Sequence, residues 1–524
     1  MGDPRPHPGP ASPDRRRVLL ALGFGALEIA GLSTLTKTPT AGSPAARTID
    51  QVATGPVDPP ALAGAAPEPA AGHVFETVIA GGRVIDPETG FDETANVGID
   101  GGAIAAISRS PLEGQQTIDA SGRVVAPGFI DILSYEPNPY GIWFKVGDGV
   151  TTNLGMHGIN ATAANFFSQY GTQGSPCHYG GAYDNPFMRS TLLDLGIDDA
   201  AAPAQIDELV ADLRQQLDQG WIGVDFEPEY TPGIEYEEMR RLAEVAAEIG
   251  VPCFFHGRYS DNTPPGTNAD TLAEILQVGR ETGAAVHVEH LISTGGTFSM
   301  AESLATLTEA RDVEHLDVTA CMYPYNFWAT YLGSTRFNDG WQERFHISYD
   351  DLVVAGTGER LTEATFRSHQ HDNTLVAAFA IPEADVATCL QSPFVMIGSD
   401  AILEPGDNNH PRAAGCFTRV LGHYVRDQEA ISLVDALAKM TILPARRLEA
   451  GAPALARKGR LQRGADADIV VFDPATVGDR STVEDPARHA AGIDWVLVLG
   501  QAVQTPDGQR TDVLPGRPIT RSAT

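Results

Sequence analysis

The feature that most constrains the fold of this chain is a recurrence of short apolar runs. They are "PGFIDILSY", "VTTNLGMHG", "CHYGGAYD", "WIGVDFE", "VPCFFHG", "AAVHVEH", "LDVTACMYPY" and "FVMIGSD". Stretches with apolar residues at helical spacing separate several of them, such as "YEEMRRLAEVAAEIG" and "ADTLAEILQVGRETG". Short strands alternating with amphipathic helices specify parallel βαβ units. Eight such strands are what a closed (β/α)8 barrel of the TIM type requires. The barrel is assigned to residues 126–444. A long insertion at about 337–373 precedes the last strand and reads as a lid or active-site loop.

A different pattern flanks this region. "HVFETVIAGGRVIDPETG" and "ANVGIDGGAIAAISR" alternate apolar and polar residues around Gly-Gly and Asp-Gly turns, as hairpins do. "ADIVVFDPATV" and "IDWVLVLGQAVQTPDG" repeat the pattern near the other end. Residues 74–125 and 445–515 are therefore expected to join into one small β-sandwich domain. Five widely spaced cysteines with no Cys-x-x-Cys pair argue against a disulfide scaffold or a zinc ribbon. A formal charge of -32 with only four lysines disfavours nucleic acid and anionic membranes as partners.

The first residues carry an address. In "PDRRRVLLALGFGALEIAGLSTLT", arginines precede an apolar run too short for a membrane span and interrupted by Glu28. Residues 1–37 resemble a twin-arginine export signal, and residues 38–73, rich in Ala, Pro and Gly, a linker. The expected destination is the periplasm, the cell surface or the medium, with no stable membrane span after processing.

Chemistry is expected at the carboxyl ends of the barrel strands, where side chains face the active site. Those ends carry His157, His256, His290 and Asp400 on strands two, five, six and eight. Three neutral imidazoles leave an open position on zinc, and water there has its pKa lowered to about 7. A carboxylate beside it can take the water's proton and pass it to a leaving nitrogen. These residue types suit hydrolysis of an amide-like bond. His287, three residues before His290, should face away from it. His369 and His371 form a His-x-His inside the insertion and read as a solvated loop pair.

"PGFID", "GVTT", "HGR", "EH", "YPY" and "MIGSD", in this order, resemble the N-acyl-D-amino acid deacylase (D-aminoacylase) branch of the amidohydrolase superfamily, as do "HPRAAGCFTRVLGHYVRD" and "ADIVVFDPATV". The resemblance covers about residues 75 to 515. It implies zinc-dependent hydrolysis of an N-acyl amino acid on a barrel with a β-sandwich. By this resemblance His157 stands at the family's cysteine ligand, His256 and His290 at its two histidine ligands, and Asp400 at its catalytic aspartate. Tyr230, Arg412, Ser334 and a tyrosine of "YPY" (Tyr323 or Tyr325) match contacts to the substrate carboxylate, and Arg258 matches the arginine of the family's His-x-Arg.

Departures accompany the match. The strand-one His-x-His is replaced by Leu133 and Tyr135, a lysine by Ile292, and the aspartate before "YPY" by Cys321. The expectation is an exported hydrolase with one zinc or other divalent ion, acting on a small carboxylated amide. Hydrolysis of a cyclic amide or ester, and a non-catalytic binding protein on the same scaffold, are the rival readings.

Overall fold

The structure is a computed structural model that describes residues 58–405 and 409–521. The export-signal region and residues 38–57 of the linker lie outside the described residues. No helix among the described residues is long and apolar enough to cross a membrane.

The chain begins with β1 (Val74–Asp86), β2 (Phe91–Asp100), β3 (Ala103–Ser108), β4 (Glu113–Asp119) and β5 (Val124–Pro127). β1 pairs with β4 through its first half and with β5 through its second half, and its register breaks between Ile79 and Gly82. Gly81, at φ 71°, makes that bend in a conformation that glycine adopts without steric cost.

Eight parallel strand positions follow. They are β6 (Phe129–Asp131), β7 (Val150–Gly155), β8 (His178–Gly181) continued by β9 (Tyr183–Asp184), β10 (Val224–Phe226), β11 (Cys253–Phe255), β12 (Val286–Val288), β13 (Val318–Met322) and, after the insertion, the last strand. The insertion holds β14 (Trp328–Tyr331), β15 (Leu352–Val354) and β16 (Leu375–Ala378), an antiparallel sheet of its own. This inserted layer is wider than residues 337–373, because β14 and β16 pair across that span. His369 and His371 lie on the helix Glu363–His371, not in a loop, and His369 bonds Thr374 and pairs with Glu359.

The eighth barrel strand is β17 (Val395–Ile397). Beyond the barrel, β18 (Ile469–Phe472), β19 (Ile493–Val498), β20 (Gln501–Thr505) and β21 (Gly508–Gln509) join β5 and β1–β4 in one nine-stranded sheet. Both ends of the chain therefore build the accessory domain, around a core that includes Val84, Phe91, Val97, Leu461 and Val471.

Side chains alternate along each barrel strand, as the pleat requires. Val224, Phe226, Val286 and Val288 pack with the helix-facing core, whereas Leu154, Met156, Phe254 and Cys321 belong to a separate inner cluster. The ring closes between β17 and β6. The Asp400 amide donates to the Leu133 carbonyl (2.7 Å), and Ser399 donates to Asp131 from its amide (2.9 Å) and its hydroxyl (2.6 Å). Lys145 completes the seam, ion-paired to Asp131 at 2.8 Å and bonded to Ser399, with no exposure of its ammonium. Lys145→Ala leaves Asp131 buried without its cation, so it is expected to cost about 3–5 kcal/mol, read as a lower midpoint in urea unfolding.

Candidate metal centre and active site

The four strand-end residues do come together. His256 Nδ1 lies 3.1 Å from His290 Nε2, and His290 Nε2 lies 3.8 Å from Asp400 Oδ2. The His157 ring centroid is 5.7 Å from that of His256 and 5.8 Å from that of His290. All four residues are buried. His290 and Asp400 reach the centre through backbone turns with φ 26° and φ 49°, a region that L-residues seldom occupy. Strand alternation alone sends Glu289, not His290, into the barrel. The turn at His290 brings both into one cluster.

Glu289 is the addition that changes the centre. His157, His256, Glu289 and His290 present ligand atoms within 4.8 Å of one another. Glu289 Oε2 stands 2.9 Å from His157 Nδ1, yet both Glu289 oxygens and His157 Nδ1 lack a hydrogen-bond partner. Buried polar atoms are nearly always satisfied. A buried imidazole and carboxylate in ion-pair contact but without hydrogen-bond geometry, beside two neutral imidazoles, fit a divalent cation. Zinc takes imidazole nitrogen and carboxylate oxygen together.

The tautomers agree with that fit. His256 Nε2 donates to Glu229 Oε2 at 2.7 Å, which leaves Nδ1 free to bind a metal. Thr294 Oγ1 lies 3.3 Å from His290 Nδ1, which leaves Nε2 for the metal. Burial, then the neighbouring positive charges, holds His256 well below the usual imidazole range. Burial likewise leads at His290, again to well below that range. Both imidazoles are neutral. At His157 burial works the other way from the net result: Glu227 and Glu289 overcome it and raise the imidazole well above its ordinary value, so a cation binding there would displace a proton. Burial also pushes the carboxyls of Glu289 and Asp225 up to about 7 and Glu227 up to about 8.

Glu229 is held on all sides. Besides His256, its carboxylate accepts from Arg336 Nε (3.0 Å) and from the Ser260 hydroxyl, and its carbonyl accepts from Thr335 (2.7 Å). Arg336 comes from the inserted layer, lies over Trp328 at 4.7 Å and also donates to the Ser293 carbonyl (2.7 Å). The insertion thus grips the loops that follow β10 and β12. Glu229→Ala removes the acceptor that orients His256 and is expected to weaken zinc binding by about 10–100-fold in chelator competition, with Glu229→Gln recovering part of the loss.

Asp400 faces Arg412 Nη2 at 2.7 Å and accepts from the Tyr135 hydroxyl at 3.1 Å. Burial acts to raise its carboxyl, but Arg412 and the three imidazoles outweigh burial and hold it down to about 2. Tyr135 thus occupies the second place of the absent His-x-His as a hydrogen-bond donor, while Leu133 is wholly buried beneath Gly398.

The residues matched to carboxylate binding divide. Arg412 keeps one buried nitrogen, Nη1, without a partner, and its guanidinium lies 4.0 Å over the Tyr323 ring. The Tyr323 hydroxyl and Ser334 Oγ are also buried and unpartnered. Tyr230 lies beside His256, with ring centroids 4.4 Å apart and the rings tilted by 41°, and donates to Thr330 (3.4 Å). Two assignments are corrected. Arg258 turns away onto Glu274 (3.0 Å) and the Ile234 carbonyl (2.7 Å), so its charge is spent on the scaffold. Tyr325 packs behind the mouth against His410 and Phe327 with Arg419 over its ring, so Tyr323 is the tyrosine of "YPY" beside Arg412. His287 bonds Thr319 at 2.8 Å and packs on Phe254, below the cluster and apart from its ligand atoms.

Asp225, Glu227, Glu229, Glu289 and Arg336 were not singled out from the sequence. The signal for two of them was present: in "GVDFE" both charges fall on the same face of one strand.

A barrel whose strand ends converge histidines and an aspartate on one buried point is the architecture of an amidohydrolase. The family model described as "Amidohydrolase family" matches residues 360–504. An N-acyl-D-glutamate deacylase of Alcaligenes xylosoxydans xylosoxydans is 33% identical over 86% of this chain and 97% of its own length. The structure of an N-acyl-D-glutamate deacylase from Bordetella bronchiseptica, complexed with zinc and a phosphonate mimic of the tetrahedral intermediate, is 29% identical. It superposes with a TM-score of 0.73 over 86% of this chain and 100% of that one. A D-aminoacylase structure concerned with a binuclear metal centre, one-metal activation and second-metal attenuation is 25% identical, with a TM-score of 0.73 over 85% and 100% of the two chains. The chain belongs to the D-aminoacylase branch of the amidohydrolases.

Proposed function

We propose that this protein is a zinc-dependent hydrolase of the amide bond in an N-acyl amino acid, with one catalytic ion held by His256, His290, His157 and Glu289. The observation that carries this reading is the set of orphaned ligand atoms around His157 and Glu289 beside two neutral imidazoles. A divalent ion there supplies Lewis acidity, polarising the scissile carbonyl and making water a nucleophile near neutral pH. Asp400 accepts the proton of the attacking water and returns it to the departing nitrogen. Arg412 Nη1, the Tyr323 hydroxyl and Ser334 Oγ are buried donors that lack partners, and a substrate carboxylate satisfies such donors. Because Arg412 also pairs with Asp400, a substrate carboxylate that draws on Arg412 raises the Asp400 carboxyl toward the range that proton transfer needs.

The test is amine release from N-acetyl D- and L-amino acids measured beside cyclic amides and esters. Turnover of N-acetyl amino acids supports the reading. Turnover confined to cyclic amides or esters sinks it. The reading includes export of the folded, metal-loaded chain by the segment around Arg15, Arg16 and Arg17, which periplasmic fractionation checks.

A further inference from the structure

Asp225 on β10 and Glu227 just beyond it both approach His157, and the catalytic roles above leave both unused. We propose that His157, Asp225 and Glu227 form a second divalent-cation site, with Glu289 bridging it to the ion at His256 and His290. The proposal rests on the reading that this mouth binds a divalent metal.

These three residues present ligand atoms within 4.8 Å of one another, and all are buried. From His157 Nδ1 the nearest oxygens are at 2.9 Å on Glu289, 3.7 Å on Glu227 and 3.8 Å on Asp225. The two longer distances exceed a hydrogen bond. Ligands bound to one ion at zinc-like lengths stand roughly 3–3.6 Å apart, so small side-chain shifts close this set on a cation. The Gly158 amide donates to Asp225 Oδ2 at 2.9 Å, which fixes the carboxylate and leaves Oδ1 buried without a partner. His157 Nδ1 and both oxygens of Glu289 likewise make no hydrogen bond, although the two residues stand in ion-pair contact.

His157 belongs to both ligand groups, and a nitrogen serves one ion at a time. With two ions bound, His157 goes to the second and Glu289 spans the pair, one oxygen to each. The strand-one positions cannot share in this, since Leu133 has no ligand atom and Tyr135 donates to Asp400. A set of carboxylates with a single imidazole is harder than the histidine-rich first site and suits zinc or manganese.

Wild-type protein loaded with excess zinc, or separately with manganese, and then desalted is expected to retain two ions per chain by elemental analysis. The Asp225→Asn/Glu227→Gln double variant is expected to retain one, with an unchanged circular dichroism spectrum. An anomalous map of wild-type crystals grown with zinc is expected to show one peak beside His157, Asp225 and Glu227 and one beside His256 and His290. One ion per chain with a single peak overturns the second site and leaves the hydrolase reading standing. Wild-type protein that retains no metal overturns both. If the double variant does not fold, wild-type stoichiometry and the anomalous map decide the matter.

Discussion

Asp400→Asn is expected to lower turnover of an N-acyl amino acid by about 10²–10⁴-fold while bound zinc is retained, because general acid–base catalysis is worth about that much. The side chain keeps its shape, and His256, His290, His157 and Glu289 stay in place around the metal. What disappears is the group that takes a proton from water and gives it to nitrogen. Tyr135 still has an oxygen to donate to, and Arg412 keeps the backbone carbonyl of residue 400, to which its Nη2 donates at 2.7 Å. The variant should therefore fold with an unperturbed melting profile. Steady-state kinetics beside elemental analysis checks the split. Full activity in the metal-loaded variant would remove Asp400 from the proton-transfer role.

His256→Ala is expected to abolish activity and metal retention together. A Lewis acid supplies several kcal/mol of transition-state stabilisation, and each 1.36 kcal/mol is tenfold in rate, so the loss is roughly 10³-fold or more. The fold has reason to survive. The Glu229 carboxylate keeps Arg336 and Ser260 as donors when the imidazole is gone, so no buried carboxylate is left bare. Retained activity with metal still bound would move the centre away from His256.

The barrel was readable because its strands are buried and announce themselves as apolar runs. All eight runs fall on strand positions, from Phe129–Asp131 to Val395–Ile397. The strand-end residues His157, His256, His290 and Asp400 were readable for the same reason. Side-chain direction was harder. The His-x-Arg motif says nothing about where Arg258 points, and Glu274 on the following helix, which captures it, has no mark in the sequence. Tyr323 and Tyr325 differ only in packing that long-range partners decide. Arg336 comes from an insertion more than 100 residues beyond β10, and nothing local ties it to Glu229. Asp225 and Glu227 are masked by the apolar run that holds them, although two charges on one buried strand face are costly unless something opposite compensates them.

The run "PGFIDILSY" gains a definite meaning from these contacts. Leu133 fills the barrel interior, and Tyr135 reaches Asp400 from the position where the family resemblance would put the second histidine of a His-x-His. The carboxylates of Asp225, Glu227 and Glu289 lie beside the histidines instead.

The most direct measurement is hydrolysis of a panel of N-acetyl amino acids by protein stripped with a chelator, before and after zinc is returned. Activity lost on stripping and restored by zinc, with uptake abolished by His256→Ala, is the predicted result. Undiminished hydrolysis by fully stripped protein would contradict a metal-dependent mechanism at this centre.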